Sequence, residues 1–391
     1  MELLLHIGTE KTGSTSFQSY MYNARERLKT RGVWYCDSLC SVQFKPNHRK
    51  LSVFARKFGE QDDGFAIHGI FSEDDHIKFQ ENLRAKFYQE VQAANASGAH
   101  SFVISSEHLH SRIQNVTAAE KIKALFGGCF SKITILAHLR PQADLALSFS
   151  STAARFGVPI DRGFFEAVNP QNHYYDYLGM LNIWRSVFPD AHLVVKSYRQ
   201  FPSTLKIVSE ILGFEVDKRD SELRLNSSLS TEAIALLNAV KGKFDAAALN
   251  LDNFPGEKFL LSKLEVGEIQ SKFENDNRDI ASIFGLERDY LEPDMSKYPE
   301  NSSLDKLISL KPSSGVLLHA LNSLAYKVEL EKAFRSLAEA ERATLKSNFE
   351  TAREKLKAYE AHARKIEDEA PHLVEKLPNL ERVKKVKFDL Q

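Results

Sequence analysis

Short apolar runs bounded by turn residues, alternating with helical stretches, narrow the fold of this chain more than any other feature. "ELLLHIG" comes almost at the first residue, and "GVWY", "HSFVISSE", "KITILAHLR" and "AHLVVKSY" follow, separated by helical segments. Strands that alternate with helices are joined by crossover connections. The pattern therefore predicts an α/β fold with a parallel sheet flanked by helices. Ligands in such sheets gather beyond the carboxyl ends of the strands. That edge is expected to carry the loop after Gly8, Ser105 to His108, Arg140 and Tyr198.

Composition sets wide bounds. Of 391 residues, 43% are apolar and 27% charged, enough for one large core or two domains. Fifty-two basic residues balance fifty-two acidic ones, so no global charge argues for nucleic acid or a membrane surface. Cys36, Cys40 and Cys129 have no zinc-like spacing and read as reduced structural thiols. No stretch resembles a secretion signal, and no run of about 18 apolar residues is present to span a membrane. A cytoplasmic location is the expectation.

The stretch "STSFQSYMYNARERLKTRG" reads as one helix ending at Gly32. Residues 60–76, with several acids and two glycines, read as a surface excursion able to act as a lid over the acceptor. From about residue 230 the chain reads as mainly helical, and 328–369 as one long charged amphipathic helix. On it Leu345, Phe349, Ala352, Leu356, Tyr359, Ala363 and Ile366 alternate spacings of four and three. This coiled-coil-like stripe packs either within the chain or against a second copy in a homodimer. The expected division is a domain over 1–290 and a helical extension over 291–391.

The chemistry concentrates in "LLLHIGTEKTGSTSFQ". A glycine-rich turn between a strand and a helix aims backbone N–H groups and a helix N-terminus at one point, which binds phosphate or sulfate. Gly8 and Gly13 have the spacing of a P-loop, but Ser14 stands where the nucleotide-binding lysine belongs, and the lysine is at Lys11. The apolar runs end in Glu107, Arg140 and Tyr198, none of them a clear magnesium carboxylate. Both features weigh against a kinase or nucleoside triphosphatase.

"TEKTGSTSFQ" resembles the 5′-phosphosulfate loop of sulfotransferases, whose usual form is Pro-Lys-Ser-Gly-Thr-Thr-Trp; Lys11, Thr12, Gly13, Ser14 and Thr15 match its Lys-Ser-Gly-Thr-Thr. "ILAHLRPQADLALSFS" resembles the family's 3′-phosphate motif Arg-Asn-Pro-x-Asp-x-x-x-Ser, with Arg140, Asp144 and Ser148 on its three functional positions. A guanidinium with a helix-borne hydroxyl suits a terminal phosphate. "VISSEHL", the segment from Trp184 to Tyr198 and "LRLNSSLSTEAIALL" add weaker matches, so the likeness covers roughly residues 1–290. It is nearest to the bacterial glycan-type members.

The resemblance implies the sulfotransferase fold, a P-loop-like α/β sheet, and 3′-phosphoadenosine 5′-phosphosulfate (PAPS) as co-substrate. The sulfuryl group would pass to a hydroxyl or amine of a carbohydrate-type acceptor such as a polysaccharide, with no metal. Amides from Thr12 to Ser16, with the hydroxyls of Thr12, Ser14 and Thr15, would hold the 5′-phosphate. Lys11 would stabilise the leaving oxygen, Arg140 and Ser148 would hold the 3′-phosphate, and Tyr198 would line the nucleotide site. The acceptor's base would be Glu107 or His108, and the residues leave both open. The loop tryptophan that stacks on adenine is Ser16 here, with Phe17 adjacent, so no adenine platform is assigned. Two other readings stand beside this one: a nucleotide-dependent phosphotransferase using the same loop, and a non-catalytic anion-binding assembly protein working through its C-terminal helix.

Overall fold

The computed structural model describes residues 1–41, 46–60, 62–216, 228–239, 256–287, 289–310, 329, 331–344, 349–369, 383–384 and 386–387. Strand β1 (Glu2–Gly8) leads through α1 (Ser14–Asn23) and α2 (Arg25–Lys29) to β2 (Val33–Tyr35). Helices α3 (Lys50–Ala55), α4 (Asp63–Ile67) and α5 (Glu73–Ala96) precede β3 (Ser101–Ser105). Next come α6 (His108–Arg112), α7 (Val116–Phe126) and β4 (Lys132–Leu139). Then α8 (Gln142–Arg155), α9 (Arg162–Glu166) and α10 (Tyr177–Val187) lead to β5 (His192–Ser197). Thereafter the named elements are α11 (Thr204–Leu212), α12 (Thr231–Ala239), α13 (Lys263–Ser271), α14 (Glu274–Phe284), α15 (Ser303–Ser309), α16 (331–344) and α17 (Phe349–Glu369).

The five apolar runs form one sheet of order β2-β3-β1-β4-β5, and every pairing is parallel. The chain is thus α/β with helices flanking a parallel sheet, compatible with a P-loop-like fold. Strand β1 lies at the centre, and Leu3, Leu4, Leu5 and Ile7 are at most 2% exposed. A strand covered on both faces reads as a continuous apolar run, which is why it was legible. Each such side chain contributes about 1.5–3 kcal/mol by leaving water. Helix α1 closes one face: Phe17 and Met21, one turn apart, join Leu4, Val103 and Leu136 in a single cluster with Leu205 and Val208 of α11.

After β1 the chain moves toward β2, and after β4 toward β5, so the direction of winding reverses between β1 and β4. A crevice opens at such a switch point, at the carboxyl ends of the strands. The β1–β4 register slips between His6 and Gly8, a local irregularity beside that crevice.

The single helix expected over 14–31 is broken at Ala24. The Arg25 guanidinium turns back over the Tyr22 ring and donates to the Tyr22 carbonyl at 2.6 Å, satisfying a carbonyl at the end of α1. The stretch 60–76 is only partly a surface excursion. Phe71 is 75% exposed, yet Phe65 and Ile70 are buried with Val53, and the His76 ring bonds the Val53 carbonyl at 3.0 Å.

The chain divides into two compact units, one comprising 1–151, 161–228 and 259–304, the other 152–160, 229–258 and 305–391. The boundary expected at 290 therefore falls inside the first unit. In the second, the single helix expected over 328–369 is corrected to two helices folded back on each other. Glu329 accepts a hydrogen bond from His362 at 2.8 Å, and the two are 33 positions apart. One straight helix would separate them by about 50 Å. Ala333, Leu337 and Ala340 of α16 pack on Leu356, Tyr359 and Ala363 of α17, with Val383 and Val386. Ala352, Leu356, Tyr359 and Ala363 of the stripe are thus buried within the chain, while Phe349 is exposed. Leu345 and the residues from Pro371 to Pro378 lie outside the described residues.

Candidate functional site

The loop from β1 to α1 is held from several sides. Thr9 donates to the His138 carbonyl twice, from its amide at 2.7 Å and its hydroxyl at 3.0 Å, which ties the loop to the end of β4. The Thr12 hydroxyl donates to the Thr9 carbonyl at 2.7 Å, and the Thr12 carbonyl lies 2.9 Å from the Thr204 hydroxyl. Thr12 is fully buried, so its hydroxyl braces the loop from inside. Lys11 has a φ of 63° and Gly13 a φ of 84°, a left-handed conformation that glycine adopts without strain.

Gly13 is the N-cap of α1, and no side chain caps that helix. An α-helix leaves its first N–H groups without intrahelical partners, at the positive end of its dipole. A Cβ at Gly13 would meet nothing within 4 Å, so its positive φ and not crowding is what favours glycine there. Ser14 is buried, Ser16 half-buried and Thr15 exposed. Phe17 is fully buried, edge-on to the His6 ring at 5.5 Å, and lies in the core rather than offering an adenine platform. Trp184 is fully buried as well.

Arg140 follows β4, next to β1 across the switch point. Its Nη1 donates to the Lys11 carbonyl at 3.0 Å, and its Cζ lies 5.3 Å from the centroid of the Tyr198 ring. Its Nε is buried without a hydrogen-bond partner. Tyr198 is placed by its amide, which donates to the Leu139 carbonyl at 2.7 Å. The structure therefore joins the loop, Arg140 and Tyr198. Asp144, in the first turn of α8, accepts from the Tyr298 hydroxyl. Ser148, one turn further, is half-buried, and its side chain makes no hydrogen bond among the described residues.

No known family model, curated protein or solved structure matches this chain. The site is therefore read from its own geometry.

On the other side of β1, β3 ends at Ser105 and Glu107 sits at the start of α6. Its Oε2 accepts from Gln18 Nε2 and Asn47 Nδ2, both at 2.7 Å, and Asn47 is oriented by the Ser106 hydroxyl at 3.0 Å. Ser105 bonds the His6 ring at 2.8 Å, so both serines act inside the wall. A Cβ at Gly8 would stand 3.2 Å from the Glu107 Cα, so the loop and α6 meet closely. Gln18, Asn47, Thr204 and Tyr177, whose hydroxyl donates to the Arg140 carbonyl at 2.8 Å, had no signal in the sequence. They act through contacts between distant segments.

The histidines of α6 differ sharply. His110 uses both ring nitrogens, accepting from the Glu10 amide at 3.5 Å and donating to the Tyr174 carbonyl at 2.9 Å. His108 has a buried Nδ1 with no partner. Burial, offset in part by Glu10 and reinforced by Arg49 and Arg112, holds its pKa at about 4, so the ring is neutral at pH 7. Among the described residues, no group of three or more histidine, cysteine or acidic side chains is placed to hold a metal, and no helix is long and apolar enough to cross a membrane. The "LRLNSS" stretch lies outside the described residues up to residue 227.

Proposed function

We propose that this protein is a PAPS-dependent sulfotransferase of the sulfotransferase fold, acting on a carbohydrate-type acceptor. The observation that carries the reading is the hydrogen bond from Arg140 to the Lys11 carbonyl, which unites two sequence motifs 129 positions apart at the switch point of the sheet. The residues fit the co-substrate. The N-terminus of α1, which its N-cap residue Gly13 leaves without a side-chain cap, suits a 5′-phosphosulfate. The unspent buried Nε of Arg140, beside Tyr198, suits a second phosphate.

PAPS would supply an activated sulfuryl group on a phosphate leaving group. Amides of Gly13 to Ser16 hold the 5′-phosphate, and Lys11 stabilises negative charge on the oxygen that keeps the bonding pair as the sulfur–oxygen bond breaks. The acceptor oxygen forms the new bond to sulfur from the opposite side, and its proton passes to Glu107 or His108. Glu107 is fixed by two amide donors, and His108 presents a neutral imidazole. Positioning and electrostatics do most of the work, as in phosphoryl transfer.

The test is calorimetry with 3′-phosphoadenosine 5′-phosphate (PAP), the desulfated co-substrate, without magnesium. Micromolar or tighter binding is expected, weakened at least tenfold by Arg140→Ala, which is about 1.4 kcal/mol. Lys11→Ala should remove transfer to a glycan acceptor. Absence of PAP binding alongside magnesium-dependent ATP binding would replace this reading with phosphotransfer.

A further inference from the structure

Beyond Glu107 the face of α6 continues into polar atoms that make no hydrogen bond among the described residues. His108 and Arg112 lie one turn apart and so share one side of the helix. A guanidinium carries five N–H donors. Arg112 donates no hydrogen bond among the described residues; it has only an ion pair with Asp62 Oδ2 at 3.4 Å, and its side chain is 31% exposed. Asp62 is itself fully buried and already shared with Arg49 at 3.0 Å and Arg56 at 3.6 Å. His108 lies within electrostatic reach of Arg49, Arg112, Asp62 and Glu10 of the loop.

Among the described residues, Arg49 Nε, His68 Nε2 and His108 Nδ1 are buried without a hydrogen-bond partner, and Arg112 Nε and Asp62 Oδ2 meet only as an ion pair. Buried polar groups are nearly always paired, so such a concentration marks a place completed by something outside the chain. The acids cannot complete it. Asp63 is taken by Arg49, and Glu60 by Arg56 at 2.9 Å. What is left over is a guanidinium fork at the mouth of the cluster, whose planar donors match an oxyanion.

We infer that Arg112 and His108 form an oxyanion subsite on the acceptor side, so the acceptor is a saccharide bearing a carboxylate, sulfate or phosphate near the reacting hydroxyl. The inference rests on reading the Glu107 edge as that side. The subsite follows directly on Glu107 and leaves the acceptor's proton to it, so an anion held there sets which hydroxyl faces the sulfuryl group.

Binding of small saccharides to the PAP-saturated protein, followed by saturation-transfer NMR, tests this. The probes are an N-acetylglucosamine–glucuronate disaccharide, the same disaccharide with its carboxyl reduced to an alcohol, and glucose 6-phosphate against glucose. The acidic member of at least one pair should bind at least tenfold more tightly than its neutral partner, and the stronger pair identifies the anion. Arg112→Gln should erase that preference while leaving PAP affinity unchanged, and Arg112→Lys should keep part of it. Equal binding within both pairs, or a preference intact in Arg112→Gln, would overturn the subsite. If Arg112→Gln does not fold, the wild-type comparison and Arg112→Lys decide. Without PAP binding the donor reading fails, and the same pairs run on the free protein still judge the subsite.

Discussion

His48 gives the sharpest test of how the wall beside the site is built. Its Nδ1 accepts from the Ser105 amide at 2.7 Å, and its Nε2 donates to the Cys36 carbonyl at 2.5 Å. The first bond requires a lone pair on Nδ1, so the geometry admits only the neutral ring protonated at Nε2. A second proton would face the Ser105 N–H directly. Burial, the largest cause, brings the pKa from 6.5 down to about 4. A group with a depressed histidine pKa contributes its full stability above the unfolded value. That contribution is lost as pH falls from about 6.5 through about 4, because the unfolded chain takes the proton first. The shift sets a ceiling of about 3.4 kcal/mol, of which about 2 kcal/mol is reached at pH 5. Urea midpoints of the wild type and His48→Gln, measured from pH 7.5 to 5, should diverge by that amount, the wild type losing more. Other buried histidines titrate in both proteins and cancel in the difference. Parallel curves through this range would refute the reasoning.

Gly8 and Gly13 separate backbone strain from steric conflict. Both have positive φ, which costs a side chain about 1–2 kcal/mol, but only at Gly8 would a Cβ press on backbone, 3.2 Å from the Glu107 Cα. Gly8→Ala should therefore lower stability in urea clearly more than Gly13→Ala, and equal losses would contradict the close approach. In the second unit, Leu356 is 8% exposed within the α16–α17 cluster. Leu356→Ala should cost about 2–5 kcal/mol without changing the mass measured by light scattering. A wild-type dimer that this variant dissociates would instead make the stripe a seam between subunits.

The strands were legible because burial on both faces leaves an apolar run that no surface element shares. Their order was not, since the β1–β3 and β1–β4 pairings join segments about a hundred residues apart or more. The loop was legible as a loop, because a turn with left-handed positions demands glycine at Gly8 and Gly13. Its bracing was not, because Thr204 and His138 reach it only through the folded sheet. The middle of the heptad-like stripe, Ala352 to Ala363, is buried, but a period of 3.5 residues is the same in one helix and in two that fold back on each other. His108 and His110 are equivalent in sequence, and only packing makes one satisfied and the other not.

The two flanks of the loop use different physics, and that difference predicts where changes are tolerated. On the β4 side the proposed co-substrate would be met by the helix N-terminus and a guanidinium fastened to the loop carbonyl, so most of the holding would be done by backbone. Substituting Ser14 or Thr15 removes one hydroxyl and leaves every amide in place, a loss of about 1 kcal/mol or less. On the β3 side the groups that would face an acceptor are side chains. Glu107 is held by the side chains of Gln18 and Asn47, and His108 and Arg112 stand on one face of a short helix. A single replacement there changes what the edge recognises without disturbing the loop. Affinity for the co-substrate should therefore be robust to side-chain change, while choice of acceptor should shift with one residue.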